Sequence, residues 1–200
     1  MTTQVTGSGV NFNGSTSGTI LLTQPAVAGS NTLTLPAETG TLRSTVSSGT
    51  MLQEVSYQTG ALATGSTQIP TDDTIPQITE GDQFMSLAIT PLSATSKLRI
   101  QARLFGCTNS GAGSATAALF RDAVTNALAA DMFTYTGTGY SFPLTIDYTM
   151  DSPGTSSTTF RLRVGPNTAI AYVFNGAPSG VNRYFGGVAN SFIKITEYVP

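Results

Sequence analysis

FMSLAITPLSATSKLRIQARLF, residues 84–105, decides how the rest of the chain is read. On its first limb Met85, Leu87 and Ile89 share one parity, with Ser86, Ala88 and Thr90 on the other. On its second limb Leu98, Ile100, Ala102 and Leu104 alternate with Lys97, Arg99, Gln101 and Arg103. Successive side chains of a strand point to opposite faces, so each limb has one apolar and one polar face. Pro91, Ser93, Ala94, Thr95 and Ser96 interrupt the pattern with residues that favour a turn. The stretch therefore predicts a hairpin of two half-buried antiparallel strands. A two-stranded unit is marginal by itself, so the remaining chain has to supply more sheet.

Downstream, it does. Phe142, Leu144, Ile146, Tyr148 and Met150 share a face against Ser141, Thr145, Asp147 and Thr149, the cleanest period-two signal in the chain. Phe160, Leu162 and Val164 alternate with Arg161 and Arg163, and Ile170, Tyr172 and Phe174 follow. In the last strand, Phe192 to Val199, Ile193, Ile195 and Val199 oppose Lys194 and Thr196. Residues 115–121 (ATAALFR) and 128–135 (LAADMFTY) flank Asp122 to Asn126 and read as a second hairpin. Their alanines also favour helix, but too few residues fit a 3.6 period before Gly and Thr intervene. Upstream, Leu52, Val55 and Tyr57 mark a first strand, and Ile69 to Asp82 a long structured loop. Turn signals at intervals of roughly ten residues, without an amphipathic helix of useful length, predict an all-β protein, an antiparallel sandwich or barrel.

The N-terminal quarter is different. Residues 1–18 are small and polar apart from Val10 and Phe12, and read either as a frayed terminus or as an anchor ordered by a partner. In residues 19–43 short alternations around Ile20 and Leu22, Leu33 and Leu35, and Leu42 are separated by Pro25–Ser30 and Pro36. Such strands lack the bulk for a core and become stable when several chains wrap them together. Residues 44–50 (STVSSGT) read as a linker. The expected organisation is a thin stem over 1–50 that attaches and trimerises, then a head over 51–200.

Charged residues make up 10% of the chain, against about 25% in ordinary globular proteins. Ser, Thr, Gly and Asn replace them, which suits exposed strands and broad contact with further copies. The net charge of -2 and the absence of a basic run argue against nucleic acid as a partner. Apolar runs are too short to span a bilayer and no signal segment opens the chain, so a protein made in the cytoplasm and not inserted in a membrane is expected. The chain has no histidine, which removes Ser-His-Asp and Cys-His catalysis and the commonest metal ligand. Cys107 is the single cysteine and, between Phe105 and Thr108, reads as a buried structural thiol.

The remaining candidates are sparse. Asp72, Asp73, Glu80 and Asp82 form the densest acidic group, but they lack calcium-loop spacing and suit turns equally well. A glycosidase would pair two of these, or Asp131 with Asp147, and nothing in the sequence fixes a separation. No metal, cofactor or catalytic residue is therefore assigned. Arg99 with Arg103, and Arg161 with Arg163, read as solvated outer faces or as ion pairs across a subunit contact. Tyr135 and Tyr140 flank a Gly-rich turn, and Arg183 and Tyr184 lead through Phe185 to Gly186-Gly187. Loop tyrosines suit sugar stacking or protein contact, and equally the filling of a trimer axis. These four residues, Tyr135, Tyr140, Arg183 and Tyr184, are the candidate ligand-binding set.

GTILLTQPAVAGSNTLTLPAETGTL (18–42) resembles short-strand segments of tail-fibre and other appendage proteins of tailed bacteriophages. QTGALATGSTQIPTDDTIPQITEGDQFMSLAITPLSATSKLRI, TNALAA, RVGPN, FNG and FGGVANSFIKITE, in that order over most of 53–200, resemble a domain at the C-terminus of phage virion proteins. The resemblance implies a trimeric, tumour-necrosis-factor-like jelly roll in a virion structural or fibre protein, and carries no catalytic residues. The expected protein is a homotrimeric virion appendage. Its N-terminal segment would meet other virion proteins and its head would meet a host-surface glycan or protein. A capsid-decorating cement protein is the alternative, and a polysaccharide-degrading enzyme a third.

Overall fold

The computed structural model describes residues 10–13, 19–22, 47–109 and 111–200. The chain divides into two units, Met1–Ser44 and Thr45–Pro200. In the first, strands β1 (Val10–Asn13) and β2 (Thr19–Leu22) pair antiparallel, with Phe12 opposite Ile20. The expectations for Leu33, Leu35 and Leu42 lie outside the described residues.

The second unit holds β3 (Met51–Thr59), β4 (Ala63–Gly65), β5 (Asp82–Ile89), β6 (Lys97–Thr108) and β7 (Gly113–Arg121). After these come β8 (Ala129–Tyr135), β9 (Ser141–Asp151), β10 (Thr158–Pro166), β11 (Tyr172–Phe174) and β12 (Ser191–Tyr198). One sheet runs β5-β10-β7-β8. The other runs β3-β12-β6, with β9 along the far edge of β6 and β11 then β4 beside its C-terminal end. All the pairings are antiparallel, and the described residues contain no α-helix. The protein is an all-β sandwich of jelly-roll topology.

The central stretch is not a hairpin. Its first limb is β5, paired with β10, and its second is β6, paired with β12 and β9 in the opposite sheet. The limbs do alternate as read, but their apolar faces meet across the core instead of lying side by side. Met85 and Ile89 from β5 share one cluster with Leu98, Ile100 and Leu104 from β6. Thr90–Ser96 is long enough to cover the ~10 Å between packed sheets. Each large apolar side chain buried this way contributes about 1.5–3 kcal/mol.

Residues 113–135 form the hairpin that was expected, β7 against β8, with Ala117 opposite Asp131. Strand wins over helix because both faces of β7 are covered. Ala115, Ala117 and Leu119 face the main core, while Ala118 and Phe120 lie under Ile69 from the long loop before β5. Small and β-compatible residues fit that double burial, and packing overrides the helical preference of alanine. The loop is pinned by Ile69 N–H to Pro166 O at 3.1 Å and Ile78 N–H to Thr125 O at 2.8 Å.

Two further expectations change. Residues 47–50 are a turn, not a free linker: Gly49 N–H donates to Val199 O at 2.8 Å and Val199 N–H to Thr50 O at 2.9 Å. In β12 the inward residue after Ile193 and Ile195 is Glu197, fully buried. Its carboxylate accepts from Leu92 N–H at 3.0 and 2.9 Å, Ser93 N–H at 3.0 Å, Ser96 Oγ at 2.6 Å and Gln53 Nε2 at 2.6 Å. The carboxylate thus caps the crossover between β5 and β6. Burial works to raise its pKa, but the hydroxyl, amide and backbone donors outweigh burial and hold it below the ordinary range.

Candidate functional site

At the sandwich end opposite Glu197 lie the ends of β3 and β6, the short strand β11 and the starts of β9 and β12. Residues 175–190, between β11 and β12, form the loop that dominates this end. Asn175 opens it in the left-handed region, φ 56°, which Asn tolerates better than other non-glycine residues. It is fully buried, and its Nδ2 donates to Thr59 O at 2.9 Å and Ala61 O at 3.1 Å. Its Oδ1 accepts from Ser191 Oγ at 2.7 Å, and that hydroxyl in turn accepts from Phe105 N–H at 2.8 Å. One amide thus ties β3, β6 and both ends of the loop together.

A small hairpin follows, with Gly176 bridged to Arg183 and Ala177 N–H donating to Asn182 O at 2.8 Å. Glycine is required at position 60, where a Cβ would stand 2.0 Å from Gly187 O, while one on Gly176 would press on the end of the Leu62 side chain at 2.2 Å. The short 3-10 segment Tyr184–Gly187 then contains Phe185 at φ 49°, a left-handed conformation uncommon for an aromatic residue. The base is over-determined, yet three large apolar side chains of the loop are bare: Val181 is 72% exposed, Phe185 79% and Val188 76%.

Of the sequence candidates, Arg183 and Tyr184 lie on this loop and Tyr140 lies just before Ser141, which the loop bonds. Tyr184 accepts a hydrogen bond from Ser141 Oγ at 3.0 Å and packs edge-on against Phe105 at 5.9 Å. This joins the loop to the start of β9, next to the turn where Tyr140 is 52% exposed. Arg183 is exposed on the same loop. Tyr135 does not join them. As the last residue of β8, opposite Gly113, it turns inward, is 3% exposed and stacks on Phe142 at 5.9 Å. Burial pushes its phenol pKa up. Sequence proximity to a Gly-rich turn placed it in the wrong environment.

The arginines are more committed than the sequence suggested. Arg99 binds Asp147 on the outer sheet face at 2.5 Å, and Arg163 donates to Glu80 O and Gly81 O at 2.7 Å each. Arg161 donates to Asp122 O. Cys107 is buried as expected, with its thiol pKa pushed up to about 11 by desolvation.

The acidic candidates serve as loop fasteners. Asp72 accepts from Thr74 N–H at 2.9 Å, Glu80 from Gln77 N–H at 2.8 Å, and Asp82 from Thr67 N–H at 2.8 Å. Among the described residues no three His, Cys, Asp or Glu side chains are grouped to hold a metal ion. Asp131 accepts from Thr145 N–H at 2.7 Å, while Asp147 is held below the ordinary carboxyl range, first by its Arg99 hydrogen bond. A general acid needs its pKa raised, so Asp147 is unsuited to that role. No helix among the described residues is long and apolar enough to cross a membrane.

No family model matches the chain, and no curated protein does. Among solved structures, it is similar to Eiger TNF from S. frugiperda, 9% identical, over 72% of this chain and 92% of that one, TM-score 0.40. It is also similar to the structure of infectious bursal disease virus Gt strain, 14% identical, over 94% of this chain and 46% of that one, TM-score 0.36. A third is the CBM36-1 domain of a multidomain xylanase from the hindgut metagenome of Trinervitermes trinervoides, 17% identical, over 72% and 96%, TM-score 0.34. None of these three is a phage fibre.

Proposed function

We propose that the chain is a structural subunit of a virion appendage, a homotrimer attached to the particle through its N-terminal unit and adhesive at the end of its sandwich. The observation that carries this reading is the loop 175–190. A buried amide and a close glycine contact fix its base, while three of its large apolar side chains stand exposed. Monomeric proteins seldom leave large apolar groups clustered in water without a partner for them. A rigid base lowers the entropy lost when that partner binds. The scarcity of charge supports self-association of the remaining surface, since few ions would have to be desolvated.

The test is to locate the chain on the particle by electron microscopy with an epitope tag at the C-terminus. The tag should lie on projecting appendages. Label spread over the shell would move the assignment to a capsid-decorating cement protein. Light scattering should return the mass of a trimer at micromolar concentration, and a monomer would remove the trimeric part.

A further inference from the structure

Resting on that adhesive reading, we infer that the cleft beside the 175–190 loop binds an acidic sugar, its carboxylate received by Arg183. Every other described lysine and arginine faces a carboxylate or a backbone carbonyl, Arg121 through a 3.8 Å ion pair with Asp122 in which its buried Nε makes no hydrogen bond. Among the described residues Arg183 alone has neither an ion pair nor a hydrogen bond of this kind, and it is exposed. A guanidinium without a partner presents a planar fork of donors suited to a carboxylate.

Its backbone is held and its guanidinium has room. The backbone of Arg183 is bridged to Gly176 in the hairpin that Asn175 anchors. Its Nη1 lies 3.0 Å from where a Cβ on Gly187 would stand, so a glycine leaves the space the guanidinium occupies. The adjoining cleft, about 580 Å³, is lined by Ala61, Leu62, Val181, Asn182, Arg183 and Gly186.

That lining selects the class. Leu62 and Val181 offer apolar surface to the C–H face of a sugar ring, and the exposed Phe185 adds an aromatic face on the same loop. The Asn182 amide carries both donors and an acceptor, as neighbouring hydroxyls require. An acidic peptide fits less well. The hairpin is held only by the Gly176–Arg183 bridge and the Ala177–Asn182 bond, too short an edge for an extended peptide strand to pair along.

The experiment is an NMR titration of the full chain with a short oligogalacturonate, with its neutral methyl ester and with oligoglutamate. The acid should shift the amide signals of residues 181–188, and the ester should not. Arg183→Gln should weaken binding about tenfold, the worth of one charged hydrogen bond, and Arg183→Lys should fall between. Equal binding of ester and acid, or an unchanged Arg183→Gln affinity, overturns the inference. Binding of oligoglutamate in place of the sugar also overturns it, by making the cleft an acidic-peptide site. Particles carrying Arg183→Gln that adhere normally sink the acidic-sugar assignment alone. The adhesive reading falls only when Phe185→Ala particles adhere normally as well.

Discussion

The two ends of the sandwich bury polar side chains for opposite purposes. At one end Glu197 draws the β5–β6 crossover inward, taking Leu92 N–H, Ser93 N–H, Ser96 Oγ and Gln53 Nε2 onto a single carboxylate. At the other, Asn175 and Ser191 pin only the base of a loop and leave Val181, Phe185 and Val188 in solvent. In both cases a fully buried polar group is satisfied on all sides, as a low-dielectric interior demands. The difference lies in what is left over. The first network closes a link between sheets; the second builds a platform. Polar burial alone therefore does not mark a functional site, and what sets this end apart is the exposed apolar side chains beside the network.

The largest effect should come from Glu197→Ala. Hydrogen bonds to a charged group contribute about 1.5–3 kcal/mol each, and the backbone donors of Leu92 and Ser93 would be left without an acceptor. A loss of about 3 kcal/mol by denaturant unfolding is expected, with loop 175–190 unchanged in its NMR spectrum. Acid should mimic the mutation. The folded-state pKa of Glu197 lies below its ordinary value of 4.5, so its stabilisation is complete above that value and is lost as pH falls through the folded one. Wild type and Glu197→Gln should then converge in stability on acidification below the ordinary glutamate range. A constant gap at all pH values would show that the carboxylate's charge contributes nothing.

At the opposite end Asn175→Ala should cost about 2 kcal/mol, since it removes the bonds to Thr59 O, Ala61 O and Ser191 Oγ and puts alanine at φ 56°. Asn175→Gly removes the same bonds but accepts that backbone, so it should recover about 1 kcal/mol. Urea unfolding of the two variants measures the difference. Equal stabilities would mean that the hydrogen bonds, not the left-handed backbone, make Asn the residue required there.

Much of this was legible in the sequence, for physical reasons that differ by element. Alternation fixed the faces of β9, and Ile146 is indeed buried, because period two is a local property of strands. Pairing partners are not local. β5 and β6 look like a hairpin, and only the shared core shows that Thr90–Ser96 crosses between sheets. Glu197 was passed over because a carboxylate at an inward position contradicts the pattern, and its donors lie about a hundred residues away, Leu92 being 105 residues distant. Asn175-Gly176 did carry a signal, since Asn-Gly favours positive φ. Tyr135 and Tyr140 look alike in sequence. The end of β8 divides them, one residue turned into the core and the other left in the turn.

The smallest effects on stability should be the most informative about function. Phe185 and Tyr140 are both exposed, so truncating either to alanine should change stability by no more than about 0.5 kcal/mol. Their expected effects on adhesion are unequal. Phe185 stands 79% exposed at the tip of the anchored loop, whereas the Tyr140 ring lies over Gly137, 3.6 Å from where a Cβ there would sit. Phe185→Ala should therefore reduce particle attachment more than Tyr140→Ala, at matched folded concentration and melting temperature. The competing account is that Phe185 is covered by a neighbouring subunit. It predicts that Phe185→Ala lowers the melting temperature and shifts the trimer toward monomer in light scattering. Early melting together with dissociation would make the tip an assembly contact, and the contrast between a closed end and a presenting end would then hold only for the isolated subunit.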